Sequence, residues 1–400
     1  MNVLMVGLEW FTLRPGGLPR YVMDFSNAWI RSGHRTKVLV RVPPDAGSLV
    51  LPHHVRGVQL ASGVLATRSA WKRVFREELT SGAYDVVNSH FAYYAWGLLD
   101  EAPDVPLVTH FHGPWAYEAR VESQGRMAVR REISFRIQRW IERRVYRHSD
   151  QFVVLSKAFR DALHGLYGVP EDRIHIIPGA VDVARFQFQE DTAPAKAGLR
   201  IAENRFVILT VRRLARRMGL ELLLEAFAQV RASHPEAILV IVGDGALRDE
   251  LWARVEALKL SNCVRLEGRV EDDLLPMYYQ AADLMVVPSV SFEGFGLVTV
   301  EAMACGTPVM GTPVGGTEEI LRAFRQDLLF RDVSAVAIAE GLSKAISGAI
   351  RLPGRSDVRE HVLNHYTWPH VVSQVAEVFQ MAIGGGAPRA ERTVAFGQFM

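Results

Sequence analysis

The chain has 400 residues, 49% of them hydrophobic and 22% charged, so it is long enough for two globular domains with ordinary cores. A net charge of +2 argues against a nucleic-acid-binding protein, and the lack of a long uncharged apolar run argues against a membrane span. Residues 1–187 carry 24 basic and 18 acidic residues, whereas the remainder carries 22 and 26. This asymmetry predicts two units with different partners.

The cysteine content and the N-terminus predict a cytoplasmic protein. Cys263 and Cys305 are far apart and have no metal-like spacing, which indicates a reducing environment without a disulfide framework. The first apolar run has no basic lead-in and is followed at once by Glu9, which argues against a signal peptide.

Alternating strands and helices are predicted along the first half of the chain. Residues 3–7 form an apolar strand, Gly16 and Gly17 precede a helical repeat, and a second strand follows Gly33. Further strands are predicted at residues 86–87, 107–110 and 151–155. A helix is predicted over Arg130–Arg147, with a narrow apolar stripe that we expect to face the core: Ile133, Ile137, Ile141 and Val145.

The second half repeats the pattern after a break. Residues 188–204 are polar and contain Pro194 and Gly198, so they predict a linker. The later strands are predicted at residues 206–211, 238–242, 264–266 and 284–287. The fold class is therefore α/β, with two doubly wound parallel-sheet domains. Their predicted bounds are 1–187 plus about 368–383, and 205–367, with a loose tail at 384–400.

A ligand site is predicted where the strand at residues 284–287 ends. A helix is expected to begin near Gly296, and its free N–H groups suit a phosphate. Gly294 and Gly296 let the backbone approach a pyrophosphate closely. Glu301 lies among apolar helix neighbours, and its carboxylate needs partners such as the two hydroxyls of a ribose.

This segment resembles the signature of retaining glycosyltransferases of the GT-B architecture, glycosyltransferase family 4. That signature has two glutamates separated by seven residues, as Glu293 and Glu301 are here. The resemblance implies two Rossmann-like domains facing each other across a cleft, with the acceptor in the N-terminal domain. It places Glu293 by the donor sugar and Glu301 on the ribose. It also assigns four loop residues to the donor nucleotide: Gly294, Phe295, Gly296 and Leu297.

A basic loop follows the strand at residues 206–211. The family has an arginine, then a lysine five residues later; Arg213 matches the arginine, whereas Met218 stands at the lysine position. Because a diphosphate needs cations, we expect Arg217 or Arg216 to replace the missing charge. Arg212 is expected to be an ordinary surface charge.

Two further loops resemble parts of the family's donor site. Gly243 begins a turn like the family's VGDG turn, in which Asp244 is expected to cap a helix. Gly268 and Val270 match the loop whose backbone contacts the nucleobase. Backbone contacts leave no side-chain pattern, so the base stays open.

The N-terminal half supplies further candidates. Arg14, Gly16 and Gly17 resemble a loop that touches the donor phosphate in glycogen synthases, although a tight turn explains the glycines as well. His112 matches the family's histidine on the donor sugar, and His110 is expected to support it. Two histidines at positions i and i+2 of a strand could bind zinc, but no third ligand is evident. His90 is either structural or close to the acceptor.

The resemblance implies retaining transfer of a hexosyl-type sugar from a UDP- or GDP-sugar to a hydroxyl of a lipid, glycan or small molecule. A metal-independent front-face mechanism is implied, with no cofactor or obligatory metal and four catalytic residues: His112, Glu293, Arg213 and Arg217. Two alternatives stay open: a nucleotide-sugar-binding protein without transfer activity and a GT-B epimerase.

The predicted helix at residues 130–147 and the segment before it are rich in arginine. One interpretation is peripheral contact with an anionic membrane, and the other, which we favour at this point, is a solvated helix face. The arginines concerned are Arg126, Arg130, Arg131, Arg136, Arg139, Arg143, Arg144 and Arg147.

Overall fold

The computed structural model describes residues 1–43, 50–60, 63–101, 104–122 and 128–385. The chain divides into two compact units. The first comprises Met1–Gly179 together with the residues from Trp368 onward, and the second is Ala180–Thr367.

The first unit is built on one parallel sheet, in which the described residues contribute seven strands. They are β1 (Asn2–Glu9), β2 (Arg35–Val42), β3 (Val55–Gln59), β4 (Val86–Ser89), β5 (Leu107–Phe111), β6 (Gln151–Val154) and β7 (Ile174–Ile176). The spatial order is β3-β2-β1-β4-β5-β6-β7. The order reverses between β1 and β4, and loops at the carboxyl ends of strands beside such a reversal form ligand sites in open α/β sheets.

Helices connect these strands. They are α1 (Gly17–Arg31), α2 (Val64–Ser81), α3 (Ala92–Ala95), α4 (Trp115–Glu122), α5 (Ala128–His148) and α6 (Lys157–Tyr167), with 3₁₀ turns at Trp96–Asp100 and Glu171–Arg173. Large side chains from both layers fill the core, including the fully buried Trp71, Phe75 and Phe152. Burial of side chains of this size contributes about 1.5–3 kcal/mol each.

One face of α5 differs from the prediction. Ile141 and Val145 are buried, as expected, but Ile133 and Ile137 are 54% and 43% exposed. The inner face of the first half of the helix is instead supplied by Phe135, which packs edge-on against Tyr117. The four residues predicted to face the core do not share one face of the helix. Each step of four residues advances about 40° beyond a full turn when there are 3.6 residues per turn.

The second unit has a sheet of five parallel strands in the described residues. They are β8 (Phe206–Val211), β9 (Ala237–Val242), β10 (Val264–Gly268), β11 (Leu284–Val287) and β12 (Val309–Gly311). The order is β10-β9-β8-β11-β12, so a second reversal lies between β8 and β11. Every residue of β9 and β11 is buried, as expected for parallel strands covered on both faces.

Eight helices of this unit lie within the described residues. They are α7 (Ala193–Gly198), α8 (Leu220–Ser233), α9 (Arg248–Ala257), α10 (Leu275–Ala281), α11 (Leu297–Ala304), α12 (Gly315–Phe324), α13 (Ala335–Ile346) and α14 (Arg355–His365). Two 3₁₀ turns occur at Arg216–Met218 and Gln326–Leu328. The parallel strands and intervening helices of each unit give the predicted α/β class.

The segment 188–204, expected as a linker, lies inside the second unit and contains α7. Lys196 of this helix is buried, and its Nζ lies 2.8 Å from a carboxylate oxygen of Asp283 and 3.0 Å from the carbonyl oxygen of Arg205. A buried ammonium group needs such partners. The polar composition that suggested a linker therefore reflects an anchored segment.

The last described helix, α15 (Trp368–Gly384), belongs to the first unit. Val371, Val375 and Phe379 lie on its buried face, and Phe379 contacts Trp29 of α1. Most of the predicted tail, residues 386–400, lies outside the described residues, as does Arg126. No helix in the described part of the chain is both long and apolar enough to span a membrane.

Candidate active site

The reversal of strand order in the second unit brings two predicted loops together. The basic loop leaves β8 at Arg212, and the loop with Glu293 leaves the neighbouring strand β11. Because the strands are parallel and adjacent, both loops leave the same edge of the sheet. The side chains of Arg212 and Glu293, 81 residues apart in sequence, form an ion pair there.

Arg212 lies at the centre of a buried polar cluster. Besides Glu293, its Nη2 donates to the Ser289 hydroxyl at 2.7 Å and lies 2.8 Å from the Met218 sulfur. The Ser289 hydroxyl in turn donates to Glu293 at 2.6 Å. The prediction of an ordinary surface charge was wrong for Arg212, because only 7% of the residue is exposed. Its Nε–H has no hydrogen-bond partner among the described residues.

Glu293 is held as a carboxylate by this cluster. Burial by itself raises its pKa, but the charge of Arg212 and the hydrogen bonds from Ser289 and Arg212 outweigh that effect. The charge of Arg217 acts in the same direction. The resulting pKa lies below the ordinary value for glutamate, so the ion pair persists at neutral pH.

The other arginines of the loop take different positions. Arg213 is exposed, whereas Arg217 is half-buried and donates from Nη1 to the carbonyl oxygen of Phe292 at 3.0 Å. Arg216 is exposed and pairs with Glu250 at 2.8 Å and Glu221 at 3.3 Å. The guanidinium of Arg216 is directed to these surface carboxylates, and the expectation that Arg217 or Arg216 supplies the missing charge stays a prediction. The guanidinium beside Met218 is that of Arg212.

Helix α11 begins where predicted, after Gly296. Gly296 has a left-handed φ of 84°, and a Cβ there would overlap the Thr317 hydroxyl, so only glycine fits. No side chain caps the first turn, which starts at Leu297. Phe295 is buried and contacts Tyr366 at 5.7 Å between ring centroids. Gly294 lies between Phe295 and the ion-paired Glu293.

Glu301 is buried within α11, as its apolar neighbours predicted. The Tyr279 hydroxyl donates to its Oε2 at 2.7 Å. Burial and the nearby negative charge of Glu301 raise the pKa of the Cys305 thiol to about 12. Tyr279, on α10, was not identified from the sequence; a tyrosine among apolar residues gives no signal that its hydroxyl meets a carboxylate.

Gly243 directly follows β9, and Gly268 is the last residue of β10. The N–H of Gly243 donates to the carbonyl oxygen of Gly268 at 2.8 Å. A Cβ at Gly243 would overlap the carbonyl oxygen of Arg212, so this glycine brings β9 against the basic loop. Asp244 does not cap a helix, because α9 begins only at Arg248; it accepts from the N–H of Gly245 at 2.9 Å. Val270 is half-buried, just beyond β10.

The first unit carries Gly16 and Gly17 at the start of α1. Gly16 has an extended φ of 171°, and an added Cβ at Gly16 would make only ordinary contacts; at Gly17 it would lie in open space. A tight turn therefore does not require glycine at either position. Arg14 is exposed and donates to Oε1 of the buried Glu9 at 3.1 Å.

Three histidines lie together at the ends of β4 and β5. Nδ1 of His90 and Nε2 of His112 are 3.0 Å apart, and the His90 and His110 rings are stacked at 4.6 Å. The Asn88 amide donates to Nδ1 of His110 at 2.8 Å, whereas the hydrogen-bond partner of His112 in this group is His90, so the supporting role of His110 stays a prediction. Tyr21 covers the group, with its ring 4.9 Å from that of His112.

Burial keeps this histidine cluster neutral. It lowers the pKa of His112 to about 3 and those of His90 and His110 well below their ordinary value, and mutual repulsion of the imidazoles adds to the effect for the last two. Within the described ranges, no group of three or more histidine, cysteine or acidic side chains is arranged to hold a metal ion. Nε2 of His90 and of His110 have no partner there.

The two parallel sheets, each with a reversal of strand order, place the chain in the class of doubly wound α/β proteins. Residues 15–185 match the family described as Glycosyltransferase Family 4, and residues 191–360 match Glycosyl transferases group 1. D-inositol 3-phosphate glycosyltransferase of Rhodococcus jostii is 30% identical over 77% of this chain and 69% of that protein. The chain belongs to the family 4 glycosyltransferases and is a hexosyltransferase.

Other similarities agree with this assignment. An uncharacterized glycosyltransferase of Methanocaldococcus jannaschii is 29% identical, and the match spans 59% of this chain and 61% of that protein. Sucrose-phosphate synthase of Thermosynechococcus elongatus superposes with a TM-score of 0.80 at 22% identity, over 96% of this chain and 99% of that one. The Anabaena protein HepE, in complex with UDP-glucose, gives 0.75 at 22% identity over 95% and 99%. The fold is therefore GT-B.

Proposed function

We propose that the protein transfers a hexosyl-type sugar, with retention of configuration, from a UDP- or GDP-sugar to a hydroxyl of a lipid, glycan or small molecule. The observation that carries the proposal is the arrangement at the β8–β11 edge. Arginines, the uncapped start of α11 and the two glutamates Glu293 and Glu301 follow neighbouring strands there. This is a set of groups suited to a nucleoside diphosphate.

The diphosphate is assigned to the basic loop and to α11. Guanidinium groups bind phosphate oxygens in a fork geometry, and helix N-termini offer N–H groups and a positive dipole end. Arg213 and Arg217 are the proposed cations, and Arg212 adds a buried charge whose Nε–H has no partner in the described residues. We assign to Arg212 the charge that the lysine supplies elsewhere in the family.

The ribose is assigned to Glu301. The Tyr279 hydroxyl donates to its Oε2, and this bond fixes the carboxylate in its buried position. A carboxylate so oriented accepts hydrogen bonds from the two hydroxyls of a ribose. HepE, the structural neighbour in complex with UDP-glucose, supports the proposal of a nucleotide-sugar donor. The proposal leaves both UDP and GDP as the nucleotide of that donor.

The proposed reaction is a front-face displacement. The bond from the sugar C1 to the leaving phosphate oxygen breaks as the acceptor oxygen approaches the same face. The acceptor proton passes to the leaving phosphate, so the products are the glycoside and the nucleoside diphosphate. The protein contributes electrostatic stabilisation through Arg213, Arg217 and the α11 amides. Glu293 and His112 are proposed to contact the donor sugar.

In the proposal, the transfer reaction needs no metal ion because the arginines of the basic loop bind the diphosphate. A metal ion would neutralise the leaving diphosphate, and the arginines do so instead. The methionine at position 218, where the family has a lysine, favours the alternative of a protein that binds nucleotide sugars without transferring them. The contact between Arg212 and the Met218 sulfur favours the transferase, because a cation is present at that position.

A thermal-shift screen tests the donor assignment. The protein would be melted with UDP, GDP, ADP and their sugar conjugates, in buffer containing EDTA. We expect a rise in the melting temperature with one base, because a ligand that binds the folded state stabilises it. The absence of a response to every nucleotide would overturn the assignment of the β8–β11 edge.

The variant Glu301→Ala tests the ribose assignment. We expect nucleotide affinity to fall by about 1–3 kcal/mol, the scale of lost hydrogen bonds to a charged group. Calorimetric titration of the responding nucleotide measures this change. Glu318→Ala, which removes a surface glutamate paired with Arg322, is the control. Equal affinities for both variants would contradict the role of Glu301.

A further inference from the structure

The outer face of α5 is apolar along one line. Val129, Ile133, Ile137 and Trp140, here called the apolar stripe, are 67%, 54%, 43% and 54% exposed. At 3.6 residues per turn their directions fall within about 80° of one another. Four large apolar side chains on one line form a continuous patch, and such patches mark interaction sites.

The stripe is surrounded by positive charge. Five exposed arginines, here called the arginine border, belong to the same helix: Arg130, Arg136, Arg143, Arg144 and Arg147. By helical geometry Arg130 lies on one side of the apolar stripe, and Arg136 and Arg143 lie on the other. Arg144 and Arg147 lie in line with the apolar stripe, closer to the C-terminus of α5. Only Arg136 has an ion pair, with Glu132, among the described residues.

The inner face of the helix is fixed independently of this patch. Glu142 is fully buried and accepts hydrogen bonds from the hydroxyls of Tyr167 at 2.6 Å and Tyr146 at 3.4 Å. Trp140 rests edge-on against Trp96, with ring centroids 5.4 Å apart. The exposed side chains are therefore held on a structured helix, and apart from the contact of Trp140 with Trp96 they can be changed without removing its core contacts.

We propose that α5 docks onto an anionic phospholipid surface. The apolar stripe would enter the boundary between headgroups and acyl chains, where tryptophan is favoured, and the arginine border would pair with lipid phosphates. A nucleic acid would leave the apolar stripe in water. A single helix with cations on both sides presents a convex strip, which suits a flat, negatively charged surface. This inference does not depend on the donor site.

Vesicle co-sedimentation tests the proposal. The full chain would be mixed with vesicles of phosphatidylcholine alone, and with vesicles that also contain phosphatidylglycerol. We expect binding only to the anionic vesicles, weakened by added salt. The double variant Arg143→Glu, Arg144→Glu should bind at least about 30-fold more weakly, since each basic residue near such a surface contributes roughly a factor of five.

A second double variant removes the apolar contribution. Ile137→Ser with Trp140→Ser should also lose binding, whereas Trp252→Ser with Val336→Ser, which changes exposed apolar residues of the second unit, should not. Arg31→Glu with Arg351→Glu is the charge-matched control, at exposed positions away from α5. Circular dichroism would verify that each variant is folded.

The outcomes separate the possibilities. Equal sedimentation of the α5 variants and their controls, or no sedimentation with anionic vesicles, would overturn the proposal. Self-association abolished by Ile137→Ser with Trp140→Ser, in a protein that ignores vesicles, would assign the stripe to a second copy instead. Glu301→Ala should sediment as the unchanged protein does, so failure of the donor assignment stays distinguishable from failure of this one.

Discussion

At the reversal of strand order in the second unit, β8 and β11 lead into a buried arginine paired with a buried glutamate. Around the corresponding reversal in the first unit, β4 and β5 lead into three histidines held without charge. The backbone plan is the same in both. The strand-end edge of the second unit carries the charged pair Arg212 and Glu293, which suits an ionic group of a ligand. The histidines at the edge of the first unit can contact a neutral group of a ligand without a change of protonation.

The comparison is tested most strongly by removing the cation from the charged cluster. Arg212→Met leaves Glu293 buried without its partner, and we expect the free energy of unfolding to fall by about 3–5 kcal/mol. Urea titration measures this loss. Arg216→Met, at an exposed surface pair, should cause no measurable change.

If Arg212→Met does not fold, two further variants still test the contribution of the ion pair between Arg212 and Glu293. Arg212→Lys retains the charge and should recover part of the stability. Arg212→Met combined with Glu293→Gln removes both charges and should be more stable than Arg212→Met alone, while remaining inactive. Transfer activity in the double variant would contradict a catalytic role for the cluster.

An exposed cation of the same loop should affect the reaction and not the fold. For Arg213→Ala we expect kcat/KM to fall about 10²–10³-fold, the usual loss when one group that stabilises developing charge is removed. Steady-state kinetics and urea titration, compared in the same preparation, measure both properties. A variant with normal activity would remove Arg213 from the site.

The neutral cluster predicts a dependence of stability on pH. Because folding lowers the histidine pKa values, the stabilising contribution is fully present above the unfolded value of about 6.5. As the pH falls below that value, the unfolded state binds protons first and stability decreases. The loss continues toward the folded pKa, about 3 for His112, at up to about 1.4 kcal/mol per pH unit for each imidazole.

Unfolding titrations between pH 7 and pH 5 measure this slope. His110→Leu removes one of the buried imidazoles and should reduce the slope by about one proton, whatever its effect on absolute stability. His370→Leu, which changes an exposed histidine outside the cluster, is the control. An unchanged slope in His110→Leu would show that the cluster titrates in the folded protein.

Much of the fold was predictable because parallel strands buried on both faces have continuous apolar runs, as in β9 and β11. The short strands β7 and β12, three residues each, were missed because so few residues carry no recognisable pattern. Ile133 and Ile137 of α5 were predicted to face the core, although they are exposed. A periodic line of apolar residues predicts a contact but does not show which side of the helix is covered.

In the candidate site, Glu301 and the start of α11 were predicted from local sequence, because charge in an apolar run and glycine before a helix are local signals. Glu293 was identified only through the resemblance to the family signature. The position of Arg212 was not, since its environment is set by Ser289 and Glu293, more than 70 residues away. Neighbouring arginines in one loop look alike until the fold separates the buried from the exposed.

The contact between Arg212 and Met218 also affects how relatives of this chain are compared. A comparison that considers position 218 alone records only that methionine stands where the family has a lysine. The guanidinium of Arg212, six positions earlier in the chain, lies 2.8 Å from the sulfur of Met218, and under the proposed function it supplies the missing charge. Under the proposed function, positions 212 and 218 should therefore be compared together when relatives of this chain are sorted.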